Sequence, residues 1–463
     1  MIAPPTCTPD PRRRALAAAL ALALVHVAAS ATVGRDGRVD PVDPRARGGV
    51  PIVVGNCNDS GPGSLREAYL GAIDADIDLG SLTCSVITLS GPLLSGPSPG
   101  TVYVLGAYDN PITINANSSG RAFIHISGRL TLRDVNVRNG RANDASGGGC
   151  IHSSGELVLQ RSTVSGCEVS TTGTTIAVGG GVRSLGTMFV LSSQVTGNRA
   201  HAASADSAGG GVHAGYAIVD RGSTISGNTA SGDGSHFADG GGVFGVDGVR
   251  LGYSTFSDNQ ADRGGGVFVS TEAFQASITN ATISGNRANG AGGGVLTMFD
   301  IDILNSTITG NRAVFDFGAG LYLGGGNALL NSSIVAGNST GDGLNAADIG
   351  GHSGAVISGS NNLVVASTRP LPAGTLGAQP MLGPLQDNGG RSRTHALLPG
   401  SPAIDAGGTS DFLHTDQREF DCDYQGVGIC VMFERWVGPA VDIGAVEFGA
   451  PDALFDNGFD PEA

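Results

Sequence analysis

The chain has 463 residues, of which 76 are glycine, with 5% aromatic and 14% charged residues and a formal net charge of −15. Glycine without a three-residue period excludes collagen, and Val, Ile and Leu recurring at fixed spacings exclude a disordered chain. All 26 basic residues are arginine, so no lysine base or Schiff base is available. The acidic balance argues against nucleic acid or an anionic lipid surface as partner.

Taken in order, the first 31 residues have the pattern of a secretory signal peptide: Arg12-Arg13-Arg14, an Ala/Leu/Val run from Ala15 to Ala29, and Ala29-Ser30-Ala31 as a small-residue cleavage site. The run is too short to span a bilayer comfortably, so the mature chain is expected to have no transmembrane segment. Its removal takes three of the 26 basic and one of the 41 acidic residues, leaving 23 and 40 and a net charge of −17. Residues 32–50, rich in Arg, Asp, Pro and Gly, are expected to form a flexible linker.

The cysteines agree with export. Cys7 leaves with the signal peptide, and the other six fall into neighbouring pairs: Cys57 with Cys84, Cys150 with Cys167, Cys422 with Cys430. An oxidising compartment lets such disulfides persist. Metal binding is the alternative, but no Cys-x-x-Cys or nearby His pair accompanies them, and neither a metal nor another cofactor is expected.

Residues 51–130 are expected to hold an N-terminal cap and the first rungs of a stacked β-structure. Ser64-Leu65-Arg66-Glu67 is a capping box, and Leu65, Ala68, Tyr69, Ala72 and Ile73 fall at helical spacing. This short amphipathic helix suits the open end of such a stack. Short strands follow from about Val86, among them Val102-Tyr103-Val104 and Ile112-Thr113-Ile114.

Residues 131–365 repeat. A Gly-Gly-Gly or Gly-Ala-Gly triplet, a β-rich stretch and a Gly-Asn landmark recur, ending at Cys167, Asn198, Asn228, Asn259, Asn286, Asn311 and Asn338, in steps of 31, 30, 31, 27, 25 and 27 residues. Such a period marks a solenoid whose rungs bury their apolar faces only by stacking. Three residues before each landmark stand Val164, Val195, Ile225, Phe256, Ile283, Ile308 and Val335. Eight before it stand Leu159, Val190, Leu251, Ile278, Ile303 and Leu330, with Asp220 breaking the series beside Val219. The intervening Ser and Thr, as in Ser162-Thr163 and Ser306-Thr307, are expected to face outward. Three strands per turn give a parallel β-helix of roughly eight or nine rungs, about 40 Å long. The asparagines are expected to stack as a ladder, each tolerating the left-handed conformation, and the triplets to turn where a Cβ would not fit.

By these motifs the repeats resemble the right-handed β-helix family, and in style the polymorphic outer membrane proteins. The resemblance implies an all-β, right-handed, single-stranded parallel β-helix of the pectate-lyase-like kind. Asn56-Cys57 with Ser64-Leu65-Arg66-Glu67-Ala68 resembles a CSLREA-type motif, although Cys57 lies seven residues upstream of Ser64 instead of adjoining it. Pro384-Leu385-Gln386-Asp387-Asn388-Gly389-Gly390, Thr394-His395-Ala396-Leu397 and Val441-Asp442-Ile443-Gly444-Ala445 are similar to the choice-of-anchor Q domain of bacterial surface proteins. That resemblance makes 366–448 a C-terminal capping region and implies surface display. The tail 449–463 ends in Leu454-Phe455-Asp456-Asn457-Gly458-Phe459, which is similar to short tails on some exported proteins.

Candidate chemistry is sparse. A glycosidase needs two carboxylates flanking the scissile bond, and a lyase needs a base with a cation beside the uronate. Asp239 and Asp262 precede glycine triplets on consecutive repeats, and with Asp233 and His236 form a candidate acid/base or calcium group. Read structurally, these are solvated turn residues. Arg199, Arg287 and Arg312, each following a Gly-Asn, are candidates either to bind an acidic glycan or to offset neighbouring carboxylates. His395, His414, Asp416, Arg418 and Asp442 fall in the C-terminal region, where a structural ion network is the simpler reading. The only tryptophan, Trp436, is outside the repeats, so no deep sugar cleft is evident. The sequence therefore points to an exported, monomeric cell-surface or extracellular β-helix protein with a structural, adhesive or glycan-contacting role. The alternative is a secreted polysaccharide lyase or glycoside hydrolase.

Overall fold

The computed structural model describes residues 50–108, 110–270, 276–314, 318–341, 345, 347–408, 413–418 and 434–449. The expected signal peptide, most of the linker, most of the C-terminal tail and the Cys422–Cys430 pair lie outside the described residues.

Period-two stretches of Val, Ile and Leu cannot bury both neighbours within one turn, so each pairs with its equivalent one turn away. The second sheet shows this directly. Ile87, Ile114, Val137, Val164, Val195, Ile225, Phe256, Ile283, Ile308, Val335 and Val364 are successive register partners along parallel strands. All are at most 2% exposed, so the inward register read from the repeats holds. The first sheet aligns Leu159, Val190, Val219, Leu251, Ile278, Ile303 and Leu330, with Val219 filling the place that Asp220 broke. Full burial of each such side chain contributes about 1.5–3 kcal/mol.

Among the described residues the result is a parallel β-solenoid. Its first sheet has 19 strands, most turns supplying two, its second has 11, one per turn, and its third has 8. The stack is longer than the roughly eight or nine rungs expected, because it begins at Ile52, whose strand pairs with Asp76–Asp78. These early turns lack the Gly-Asn landmark, and the helix is inserted between the two strands.

That helix spans Leu65–Gly71, with Ser64 Oγ accepting the Glu67 N–H at 3.3 Å and Glu67 Oε2 accepting the Gly63 N–H at 2.7 Å. Leu65, Ala68, Tyr69 and Ala72 join the solenoid core, whereas Ile73 is 67% exposed because the helix stops two residues before it. Tyr69 packs edge-on against Phe123, and its hydroxyl meets His125 Nδ1 at 3.1 Å inside the first turns. Disulfides join Cys57 to Cys84 and Cys150 to Cys167.

The repeat asparagines form a ladder. Each of Asn198, Asn228, Asn259, Asn286 and Asn311 sends both its backbone N–H and its Nδ2 to the next rung's Oδ1 at 2.9–3.0 Å. Asn338 does the same to Asp348, and Asn198 Oδ1 accepts the Cys167 N–H. The left-handed residue, however, is the one before each asparagine: Gly197 (φ 62), Gly227 (φ 63), Asp258 (φ 56), Gly285 (φ 68) and Gly310 (φ 67). The glycine triplets behave as read; a Cβ on Gly180 would stand 2.2 Å from the Arg199 carbonyl carbon.

The serines correct the expected outward face. Ser162, Ser193, Ser223, Ser254, Ser306 and Ser333 are at most 2% exposed. The Oγ of Ser193, Ser223, Ser254, Ser306 and Ser333 each accept the backbone N–H of the preceding turn at 3.0–3.2 Å. Only Ala281 interrupts this second ladder, which ends on Asn362 Oδ1.

The C-terminal region does more than cap. Leu371 packs on the core, and Leu376 bridges to Leu363 across the last turn. The chain then runs along the flank of the second sheet. Gln417 accepts from Thr282 at 2.6 Å and donates to Thr255 at 2.9 Å, and the Ala445 N–H donates to Thr307 at 3.0 Å. Outward Thr255, Thr282 and Thr307 are accordingly buried, while their equivalents Thr163, Gln194 and Thr224 on earlier turns remain accessible.

Candidate functional site

The four candidate acid/base residues do not form one group. Asp233 and His236 sit on an exposed turn with 3.6 Å between Oδ1 and Nδ1, and the Ser235 N–H holds the Asp233 carboxyl below its ordinary range. Asp239 immediately precedes its triplet and Asp262 stands two residues before the next. The register partner of Asp239 is therefore Arg263. The pair is bidentate, at 2.7 and 2.6 Å.

Burial pushes the Asp239 carboxyl up, Arg263 draws it back, and Asp206 and Asp262 add repulsion. These three carboxylates thus converge near one arginine, but each carries a structural load. Asp206 accepts the Phe237 N–H at 3.0 Å, and Asp262 accepts the Ala238 N–H at 3.1 Å and the Asn289 amide at 2.9 Å. Arg263 also lies over the Phe237 ring, 3.9 Å from its centroid. The arrangement fastens variable turns between rungs. Among the described residues no group of three His, Cys, Asp or Glu side chains could hold a metal ion.

The arginines after Gly-Asn share one outward column of the third sheet, in which Arg141, Glu168, Arg199, Thr229 and Gln260 lead to Arg287, Arg312 and Ser339. Glu168 lies 3.3 Å from both Arg141 and Arg199, so Arg199 is offset by a carboxylate. Arg287 and Arg312 face each other on adjacent turns, with no ion pair to either among the described residues.

A second outward column escaped the sequence reading. The residues two places after each triplet, or its equivalent, align as His152, Arg183, His213, Phe244, Phe268, Leu296 and Tyr322. His213 stacks on Phe244 and Phe244 on Phe268, with centroids 5.1 and 5.2 Å apart and planes within 6°. Ring faces used on one another are closed to a sugar, so this ladder stiffens the sheet. The signal was present as the position after Gly-Gly-Gly-Val. At its polar end Arg183 donates to the Ala145 and Ser146 carbonyls, and Arg121 pairs with Asp144 on the same corner. Burial, with Arg183 nearby, pushes His152 down to about 4 and His213 to about 3.

The C-terminal candidates are structural in placement. His395 Nε2 meets Ser284 Oγ at 2.8 Å, and its Nδ1 meets the Gly383 carbonyl at 2.7 Å. Arg418 grips Asp416 at 2.6 Å, while both Asp442 oxygens accept backbone N–H groups from Asp405 and Phe448. Three of the repeat asparagines in Asn-x-Ser/Thr sequons, Asn280, Asn305 and Asn338, are at most 1% exposed.

Comparison with protein-family models, with curated proteins and with solved structures yields no match. The fold and the geometry alone define the class: a disulfide-bearing parallel β-solenoid. No described helix is long and apolar enough to cross a membrane.

Proposed function

We propose that this chain is an exported β-helix scaffold, displayed at or released from the cell surface, whose long parallel faces make structural or adhesive contacts with glycans. The observation that carries this reading is the commitment of Asp206, Asp239 and Asp262 to backbone and arginine partners on neighbouring turns, which leaves no poised acid/base pair there. Two disulfides, the signal-like start and the resemblance of the C-terminal segment to choice-of-anchor Q domains support export and display. On this reading the monomeric rod presents its surface without a cofactor.

A catalytic reading keeps one favouring observation, the convergence of three carboxylates near Arg263, with Asp239 pushed up by burial. Incubating the purified chain with a panel of acidic and neutral polysaccharides separates the two. The scaffold reading expects binding to some members without unsaturated or reducing-end products. Sustained product release that Asp239→Asn abolishes would replace it with a lyase or glycosidase.

A further inference from the structure

We propose that the outward arginine column of the third sheet is a binding rail for a linear acidic polysaccharide, gripped at Arg287 and Arg312. The inference rests on the surface-contact reading above and names the ligand class. Three observations carry it.

The first is an uncompensated like-charge pair. Arg287 and Arg312 are register partners on adjacent parallel strands, about 4.8 Å apart along the stack. Like charges directly opposite in a sheet repel, and no carboxylate is paired with either among the described residues. On the preceding turn the acids two places either side of the register partner Gln260 are Asp258, beside Gly285, and Asp262, which accepts the Ala238 N–H and the Asn289 amide. In a chain of net charge −15 an arginine couple with no ion pair among the described residues is out of keeping with its surroundings. An external anion resolves the repulsion.

The second is the state of the side chains. Arg287 is exposed and Arg312 half-buried, with Arg312 Nε enclosed and lacking a hydrogen-bond partner. A guanidinium presents a planar fork that fits the two oxygens of a carboxylate or sulfate. Two forks one turn apart fit successive oxyanions, or one oxyanion between them.

The third is continuity, which selects a polymer over a small anion. The column continues through Gln260 and Thr229 to Arg199 and Arg141, which share the single Glu168 and leave one net positive charge. From Arg312 back to Arg199 is four turns, roughly 19 Å at the strand spacing. Neutral hydrogen-bonding side chains fill the interval. An extended chain with an acidic group at intervals meets both cationic ends, whereas a free anion meets one.

The test measures binding of the purified chain to polygalacturonate, dextran sulfate and neutral dextran, at low and high salt. The parent should bind both acidic polymers, weaken steeply with salt and ignore neutral dextran. The double variant Arg287→Gln/Arg312→Gln should weaken acidic binding roughly fivefold to tenfold, with a melting temperature no lower than the parent's. Glu168→Gln, which releases Arg141 and Arg199, should tighten it. Undiminished binding by the double variant, or no tightening in Glu168→Gln, overturns the rail. If the double variant binds the acidic polymers as the parent does, the rail is lost while the surface-contact reading, which does not depend on these two arginines, survives.

Discussion

Asn286 sends its backbone N–H and its side-chain Nδ2 to the same acceptor, Oδ1 of Asn311, at 3.0 and 2.9 Å. Asn311 Nδ2 in turn reaches the Ile283 carbonyl at 2.9 Å. One side chain therefore satisfies three buried backbone or amide groups between two turns. Asn311→Ala removes all three bonds in a site that water does not reach, and each orphaned group costs about 1–3 kcal/mol. Urea unfolding should show a loss of at least about 3 kcal/mol, and an unchanged midpoint would remove the ladder from the stabilising interactions.

Charge in the apolar column should be worse still. Ile283 and Ile308 are fully buried register partners, so Ile283→Asp or Ile308→Asp places a carboxylate where neither water nor a cation can meet it. Either variant should lose several kcal/mol, of order 4 or more, or fail to fold. Retention of full thermal stability by either one contradicts the inward register.

The acidic turns give a graded expectation. Asp262→Ala breaks the bonds to Ala238 and Asn289 and should lower stability by about 1–2 kcal/mol. Asp233→Asn, on an exposed turn, should leave the melting temperature essentially unchanged. Equal effects of the two, measured by thermal melting, would mean that the Asp262 contacts hold nothing together.

Acid should act through His125, which is fully buried and pushed down to about 4 from its ordinary 6.5 by burial. The unfolded chain takes up this proton near 6.5 and the folded chain only near 4, so stability falls as pH drops through that window. The full loss from this group is about 3 kcal/mol. Glu447, pushed up to about 7 by burial, runs the other way: its contribution is present at low pH and disappears as pH rises through about 7. Comparing denaturant midpoints of the parent and His125→Gln at about pH 7 and about pH 4.5 isolates the histidine, since only the parent should carry its acid-dependent slope.

The two disulfides should differ in reactivity. Cys57 and Cys84 are partly accessible, whereas Cys150 and Cys167 are at most 1% exposed within the core. Mild phosphine reductant applied to the folded chain, followed by alkylation and peptide mapping, should open Cys57–Cys84 first. Preferential labelling of Cys150 and Cys167 would place that corner at the surface.

What the sequence disclosed was whatever recurs at a fixed distance from a landmark. The apolar residue three places before Gly-Asn and the asparagine itself could be read directly, because each meets only its own copy one turn away. Period two alone did not tell which face is the inside at a corner. Ser162 and its equivalents look like surface residues by type and are buried because their hydroxyls substitute for a missing backbone acceptor. The first turn was hidden because a helix separates Ile52 from its partner strand. The flanking path of the C-terminal region depends on contacts such as Thr255 with Gln417, 162 residues apart, which no local pattern announces. Asp239 and Asp262 differed by one position relative to their triplets, and that offset put Arg263 where a second carboxylate was expected.

The amide column also has a direction and an end. Every asparagine oxygen accepts from the turn before it, and the last acceptor is a carboxylate: Asp348 Oδ1 receives Asn338, while Oδ2 receives the Ala366 N–H at 2.9 Å. A carboxylate has no N–H with which to reach back to a carbonyl, so the pattern cannot be handed on to another turn. The column thus works as a template with a built-in terminator. Through this column a second copy cannot continue the stack, and a rod made of near-identical layers is given a defined length.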